Sequence, residues 1–171
     1  MPRPMRHLAL LAALCLCGCP TGALRGAVLE KDAVSYRLAL PSPDDWRQVG
    51  FADNDLAWTA RRTAHILAVN ATCGDHGDPS LEVLTNHLVF GFTDRALKER
   101  QQRTVDGRDA LESHYAAKLD GVPVELGLLV VKKNGCVHDL TYVAPVGSFD
   151  AKKGDFERLI AGFTQVSVRA P

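Results

Sequence analysis

The 171-residue chain lacks any hydrophobic run long enough to cross a membrane as a helix. Its longest apolar stretch, Leu8 to Gly18, falls well short of the roughly 20 residues a bilayer requires. Net charge is also absent, with 20 Lys and Arg against 20 Asp and Glu, scattered along the sequence. That balance provides no electrostatic footprint for nucleic acid and no polybasic cluster for anionic headgroups. No Gly-x-Ser-x-Gly elbow, Walker loop or dinucleotide fingerprint is present, which removes the common signatures of serine hydrolases, P-loop enzymes and nicotinamide enzymes. No His-x-x-x-His pair occurs, and Cys73 has no second cysteine at dithiol-oxidoreductase spacing. Repeats and low-complexity segments are missing as well, so the 46 % of apolar residues are available for one core.

What is there begins with an address. Arg3 and Arg6 precede the apolar run, and the run ends at Leu16-Cys17-Gly18-Cys19. A positive segment followed by a short apolar core is the pattern of an export signal, and too short for an anchor. Cys15 follows Leu14 and Cys17 follows Leu16, both bulky where a signal peptidase needs a small side chain; Cys19 follows Gly18. The segment resembles the lipobox of bacterial lipoprotein signal peptides. That resemblance implies cleavage before Cys19 and acylation of Cys19, giving a protein held to a membrane by several acyl chains. The alternative is an ordinary secretory signal and a freely diffusing product. Residues 1–18 are expected to be the signal, 19–32 a lipidated tether containing Pro20, Gly22 and Gly26, and 33–169 a single domain. Cleavage takes Arg3 and Arg6 and no acid, leaving a net charge of about −2. Pro20 stands where enteric lipoproteins retained in the inner membrane carry Asp. By resemblance to that sorting rule, the outer membrane is favoured.

With Cys19 acylated, Cys73 and Cys136 remain as an even pair in a compartment that oxidises thiols, and a disulfide between them is expected. Closing a loop of that length stabilises a fold by roughly 4 kcal/mol on the chain-entropy model. A redox or metal role is the alternative, because Asp75, His76 and Asp78 crowd the residues after Cys73 and their oxygen and imidazole donors suit several divalent ions. The intervening Gly74, Gly77 and Pro79 equally describe an ordinary turn.

Hydrophobic periodicity then divides the chain. Val34, Tyr36, Leu38 and Leu40 alternate with Ser35, Arg37 and Ala39, predicting a strand that Pro41 stops. Trp46–Phe51, Leu56–Arg62 and His65–Thr72 read as further strands, and the four together as an antiparallel meander. Leu81, Leu84, Leu88 and Phe92 recur at helical spacing, with Asp78 or Ser80 available as the cap. Asp94–Arg103, including Lys98-Glu99-Arg100, reads as a charged helical piece or solvated loop. Asp106-Gly107, Asp120-Gly121 and Asn134-Gly135 are turn signals separating strands at Ala110–Leu119, Val122–Lys132 and Cys136–Val143. Phe156, Leu159, Ile160 and Phe163 mark a closing helix over about 150–164.

The predicted fold class is α+β, an antiparallel sheet of about seven strands flanked by helices. Several pieces carry a family resemblance: Tyr36-Arg37-Leu38-Ala39-Leu40-Pro41 followed by Trp46, the late strand triplet, Tyr142-Val143-Ala144-Pro145, and the Phe149/Phe156/Phe163 helix. Over residues 34–168 the pattern resembles the PsbP-like α/β/α sandwich, a group that includes PsbP photosystem subunits, Ran-binding Mog proteins and DcrB-like bacterial lipoproteins. The resemblance implies a binding or assembly module rather than an enzyme; taken with the lipobox and the balanced charge, the expected partners are an envelope protein and, through Cys19, the membrane, with no nucleic acid and no cofactor. A small-ligand or metal carrier using the groove between sheet and helix is the competing reading. His65, His87, His114 and His138 read as structural residues; the alternative brings His114 and His138 together across strands, with Glu112 and Asp139 adding carboxylates. Tyr36, Trp46 and Trp58 are assigned to the core.

Overall fold

The computed structural model describes residues 22–31, 34–51, 54–74 and 77–168. In chain order these form β1 (Gly22–Arg25), β2 (Val28–Lys31), β3 (Val34–Arg37), β4 (Trp46–Val49), β5 (Leu56–Ala60) and β6 (Ile66–Cys73). Then come α1 (Leu81–Leu88), β7 (Thr93–Val105), β8 (Arg108–Leu119), β9 (Val122–Lys133), β10 (Cys136–Pro145), α2 (Phe149–Ala161) and β11 (Thr164–Val168). A seven-stranded antiparallel sheet runs in the order β4-β5-β6-β10-β9-β8-β7, and a four-stranded sheet in the order β1-β2-β3-β11. The α+β class and the sheet of seven are as expected from the sequence.

The turn chemistry explains the long hairpins. Asp106, Asp120 and Asn134 all have φ near 50° and are each followed by a glycine at positive φ. This is the pair of left-handed residues that a two-residue hairpin loop demands, and it sets the register of β7 to β10. At one end of the large sheet lie Asp106-Gly107, Asn134-Gly135 and the opposed Cys73 and Cys136, here named the cysteine end. At the other lie Asp120-Gly121 and Pro145, the Gly121 end.

Alternation along the strands gives the large sheet two buried faces. One carries Leu67, Val69, Leu129, Val131, Leu140 and Tyr142 and packs under α2 and the small sheet. The other carries Tyr115, Ala117, Val124, Leu126 and Leu128 under the end of α1. In α2, Phe156, Leu159 and Ile160 are buried, and Phe163 continues the stripe past the helix end. Each such side chain contributes about 2–3 kcal/mol by leaving water. Trp46 joins the same core and donates from Nε1 to Asp155 on α2 at 3.1 Å. Tyr36, Trp46 and Trp58 are all buried, in agreement with their assignment. Ser80 is the cap of α1, its Oγ accepting from the Val83 amide at 3.3 Å.

Four readings are corrected. Residues 22–31 are not a tether: β1 and β2 pair with each other and β2 pairs with β3, while Leu29 is buried in the core. The strand at Val34 leaves the expected meander, because β3 lies between β2 and β11 in the small sheet. Its place in the seven is taken by Thr93–Val105, neither helix nor loop but the edge strand β7, paired along its length with β8. Nearly all of β7 is exposed, so main-chain pairing rather than burial holds it, and its helix-favouring Lys, Glu, Arg and Gln residues give no hint of that. The exposed charged run within it is therefore a strand edge.

Candidate functional site at the cysteine end

Of the residues singled out beforehand, Cys19, Asp75 and His76 lie outside the described residues. Cys73 and Cys136 are directly opposed on β6 and β10 and joined by a disulfide, with Cα atoms 4.1 Å apart. Asp78 is exposed, and its carboxylate accepts from Lys132 Nζ at 2.5 Å, an interaction that holds its pKa below the ordinary carboxylate value. A cation at Asp78 would have to displace that ammonium group. Among the described residues no three His, Cys, Asp or Glu side chains are placed to hold a metal.

His114 and His138 do not meet. His114 is level with Gly127 and Tyr142, His138 with Val131 and Ala110, which puts them about 13 Å apart along the sheet. His114 stacks on Phe149 with ring centroids 3.9 Å apart, and its Nε2 sits 3.3 Å from Glu125 without hydrogen-bond alignment. Glu112 is held by Arg103 and Gln101, and Asp139 faces the side of the sheet opposite His138. His65 is buried between Thr63 Oγ1 and the Ser148 carbonyl, and His87 is exposed.

Tertiary structure instead assembles a polar cluster that the sequence does not announce. Asp106, in the β7–β8 turn, accepts from Lys133 Nζ at 2.5 Å and from the Gln165 amide at 2.8 Å. Burial pushes the Asp106 carboxyl up, but these two hydrogen bonds together with the Lys133 and His138 charges outweigh it and leave its pKa below the ordinary value. Asn134, in the β9–β10 turn, donates to Gln165 Oε1 at 3.0 Å. The start of β11 is thus clamped between two hairpin tips. Beneath lies His138, fully buried against Tyr36 and Phe163 at ring separations of 5.5 and 4.8 Å. Among the described residues neither His138 ring nitrogen has a hydrogen-bond partner, and Gln165 Nε2 is likewise orphaned. Desolvation pushes the His138 pKa down to about 4, only partly opposed by Asp106. Tyr36 donates to Asp55, which also accepts from the Ala71 amide and pairs with Lys31. Burial first, and the neighbouring Asp55 charge second, hold the Tyr36 hydroxyl well above its ordinary pKa, so it is a neutral donor.

Beside the disulfide a cleft of about 310 Å³ is lined by Gly74, Gly77, Asp78, Arg108, Lys132 and Asn134. A second, of about 430 Å³, lies between the start of α1 and β7 and is bridged by the Arg100–Glu82 ion pair. The Gly121 end differs in kind. Phe90 is 82 % exposed, Val122 61 %, Val146 60 % and Leu119 37 %. Leu119 and Val122 are paired across β8 and β9, Val146 follows Pro145, and Phe90 closely precedes Thr93, the partner of Lys118. Three segments therefore present apolar side chains at one end of the sheet.

This arrangement is a PsbP-like fold. The chain is similar to the PsbP protein CyanoP of Synechocystis sp. PCC 6803 at 15 % identity and a TM-score of 0.57, covering 86 % of this chain and 99 % of that one. It is similar also to LpqN, involved in cell envelope biogenesis of Mycobacterium tuberculosis, at 14 % identity and a TM-score of 0.58, covering 79 % and 86 % of the two chains. A Pseudomonas aeruginosa protein of unknown function matches at 10 % identity and a TM-score of 0.51, covering 88 % and 97 %. No family model matches the sequence, and no curated protein matches it.

Proposed function

We propose that the chain is a cell-envelope lipoprotein, held to a membrane by acylated Cys19 after loss of residues 1–18, whose domain binds another envelope protein at the Gly121 end. The observation that carries this reading is the convergence of exposed Phe90, Leu119, Val122 and Val146 from three segments, since apolar residues gathered at a surface cost solubility unless a partner covers them. The disulfide supports an oxidising compartment. The envelope role in the printed description of LpqN supports the same placement, and Pro20 favours the outer membrane over the inner.

A photo-crosslinking residue placed at position 122 or 146 in cells is expected to give a discrete protein adduct, whereas one at exposed Val83 on α1 gives none. Equal labelling at all three positions, or none, overturns the reading. A second reading, a small-ligand carrier, is favoured by the cleft at the cysteine end, whose volume is at the lower edge of ligand pockets. Arg108 and Lys132 there suit a small anion, and a thermal shift with inorganic phosphate that disappears in Arg108→Ala tests it.

A further inference from the structure

If Cys19 carries the lipid, the corrected start of the domain has a mechanical consequence. Only Pro20 and Thr21 separate Cys19 from Gly22, the first residue of β1. Three residue steps span at most about 10 Å. Gly22 pairs with Lys31, and Lys31 donates to the Ala71 carbonyl at 3.0 Å, two residues from Cys73. The chain therefore leaves the lipid and enters the fold at the cysteine end. The Gly121 end is the length of β9 away, twelve residues or about 40 Å.

We infer that the domain stands directly on its bilayer with the cysteine end against the lipid headgroups and the Gly121 end projecting outward. This rests on the anchoring proposed above and adds the surface that meets the membrane. The chemistry of the two ends fits it. The cysteine end presents Arg108, the Asp78–Lys132 pair and Asn134, polar groups suited to a hydrated headgroup layer rather than to hydrocarbon. The apolar Phe90, Val122 and Val146 are the residues that would insert into a membrane, yet a 10 Å leash brings them to it only if the domain lies on its side. Standing upright, they face the space where a protein partner is met, and the cleft beside the disulfide opens near the lipid surface.

The full-length acylated protein in nanodiscs of phosphatidylethanolamine and phosphatidylglycerol, with a fraction of headgroups carrying a gadolinium chelate, tests the orientation. The amide signals of Lys31, Cys73 and Gly135 are expected to be broadened away while Gly121 keeps its intensity. Inserting about 20 Gly and Ser residues between Thr21 and Gly22, a coil averaging roughly 25 Å, should abolish the contrast while acylation persists. Broadening that is uniform, or stronger at Gly121 than at Gly135, in a protein whose Cys19 is acylated overturns the orientation and leaves the anchor intact. An amino-terminal peptide without acyl chains by mass spectrometry overturns both.

Discussion

The two ends of the large sheet are built on the same hairpin chemistry, Asp-Gly or Asn-Gly turns closing long antiparallel strands, yet they are finished differently. At the cysteine end, distant parts of the chain are bound together: a disulfide joins β6 to β10, Asp106 and Asn134 clamp β11, and Lys31, Asp55 and Tyr36 link the two sheets. At the Gly121 end the conspicuous polar links are the exposed Lys118–Asp94 ion pair and the Gly147 amide on Glu125. Exposed pairs of that kind contribute little to stability. The fold is most heavily tied where the chain enters it; at the other end a long-range bond also joins buried His65 to the Ser148 carbonyl, but exposed Phe90, Val122 and Val146 stand outside it, so substitutions at those tips leave the ties intact and a surface can be shaped for recognition.

The largest effect that sharpens this contrast is loss of the disulfide. Cys136→Ala with Cys73→Ala is expected to lower unfolding free energy by roughly 4 kcal/mol in urea denaturation, as would reduction of the intact protein. A loss below about 1 kcal/mol would remove the cysteine end from its privileged position.

Next come the adjacent residues His138 and Asp139, whose titrations oppose each other. The unfolded His138 binds a proton near 6.5 and the folded one only near 4. Between those values the unfolded state holds more protons, so this residue's contribution is complete above pH 6.5 and is lost as pH falls to 4, by about 3 kcal/mol. Burial, with the Asp55 charge adding, pushes the Asp139 carboxyl up to about 7. Here the folded state holds more protons, so the protonated acid is tolerated at low pH and stability is lost as pH rises from about 4 through 7. The wild-type protein should therefore show a nearly flat stability profile between pH 4 and 6.5. Thermal unfolding of His138→Leu should show stability falling with pH across that window, and of Asp139→Asn stability rising. Parallel profiles for the two variants would contradict the opposed burial of the pair.

Asp106→Asn keeps the left-handed turn and an acceptor for the Gln165 amide while removing the charge facing Lys133. An expected loss of about 1–2 kcal/mol, read by urea denaturation at neutral pH, measures the ion pair at the clamp. The smallest effect belongs to the Gly121 end. Phe90→Ser with Val122→Ser should change stability by less than about 0.5 kcal/mol while removing the crosslinked partner at position 146. A large destabilisation would mean that these side chains pack rather than recognise.

Much of the fold was legible because local chemistry coincides with the final arrangement. The β-forming runs at Trp46, Leu56 and His65, the three hairpin turns and the helical stripe of Phe156, Leu159 and Ile160 are written into adjacent residues, and the Cys73–Cys136 pair follows from the cysteines that remain once Cys19 is set aside. The failures share a cause. Thr93–Val105 has the composition of a helix and is a strand because β8 provides a pairing edge. Gly22–Lys31 has the composition of a tether and is a hairpin because β3 provides another. The candidate metal segment drew attention through proximity in sequence, but the one described member, Asp78, is satisfied by Lys132, more than fifty positions away.

The sequence by itself determined the alternation that makes two buried sheet faces and the left-handed hairpin turns, since each depends on neighbouring residues only. Only tertiary structure decided which strands fill the sheet of seven, that Asp106, Asn134 and Gln165 form one polar cluster over buried His138, and that Phe90, Val122 and Val146 share an end. Those outcomes depend on main-chain edges and desolvated contacts between residues far apart in the chain, whose energies exist only once the partners are brought together.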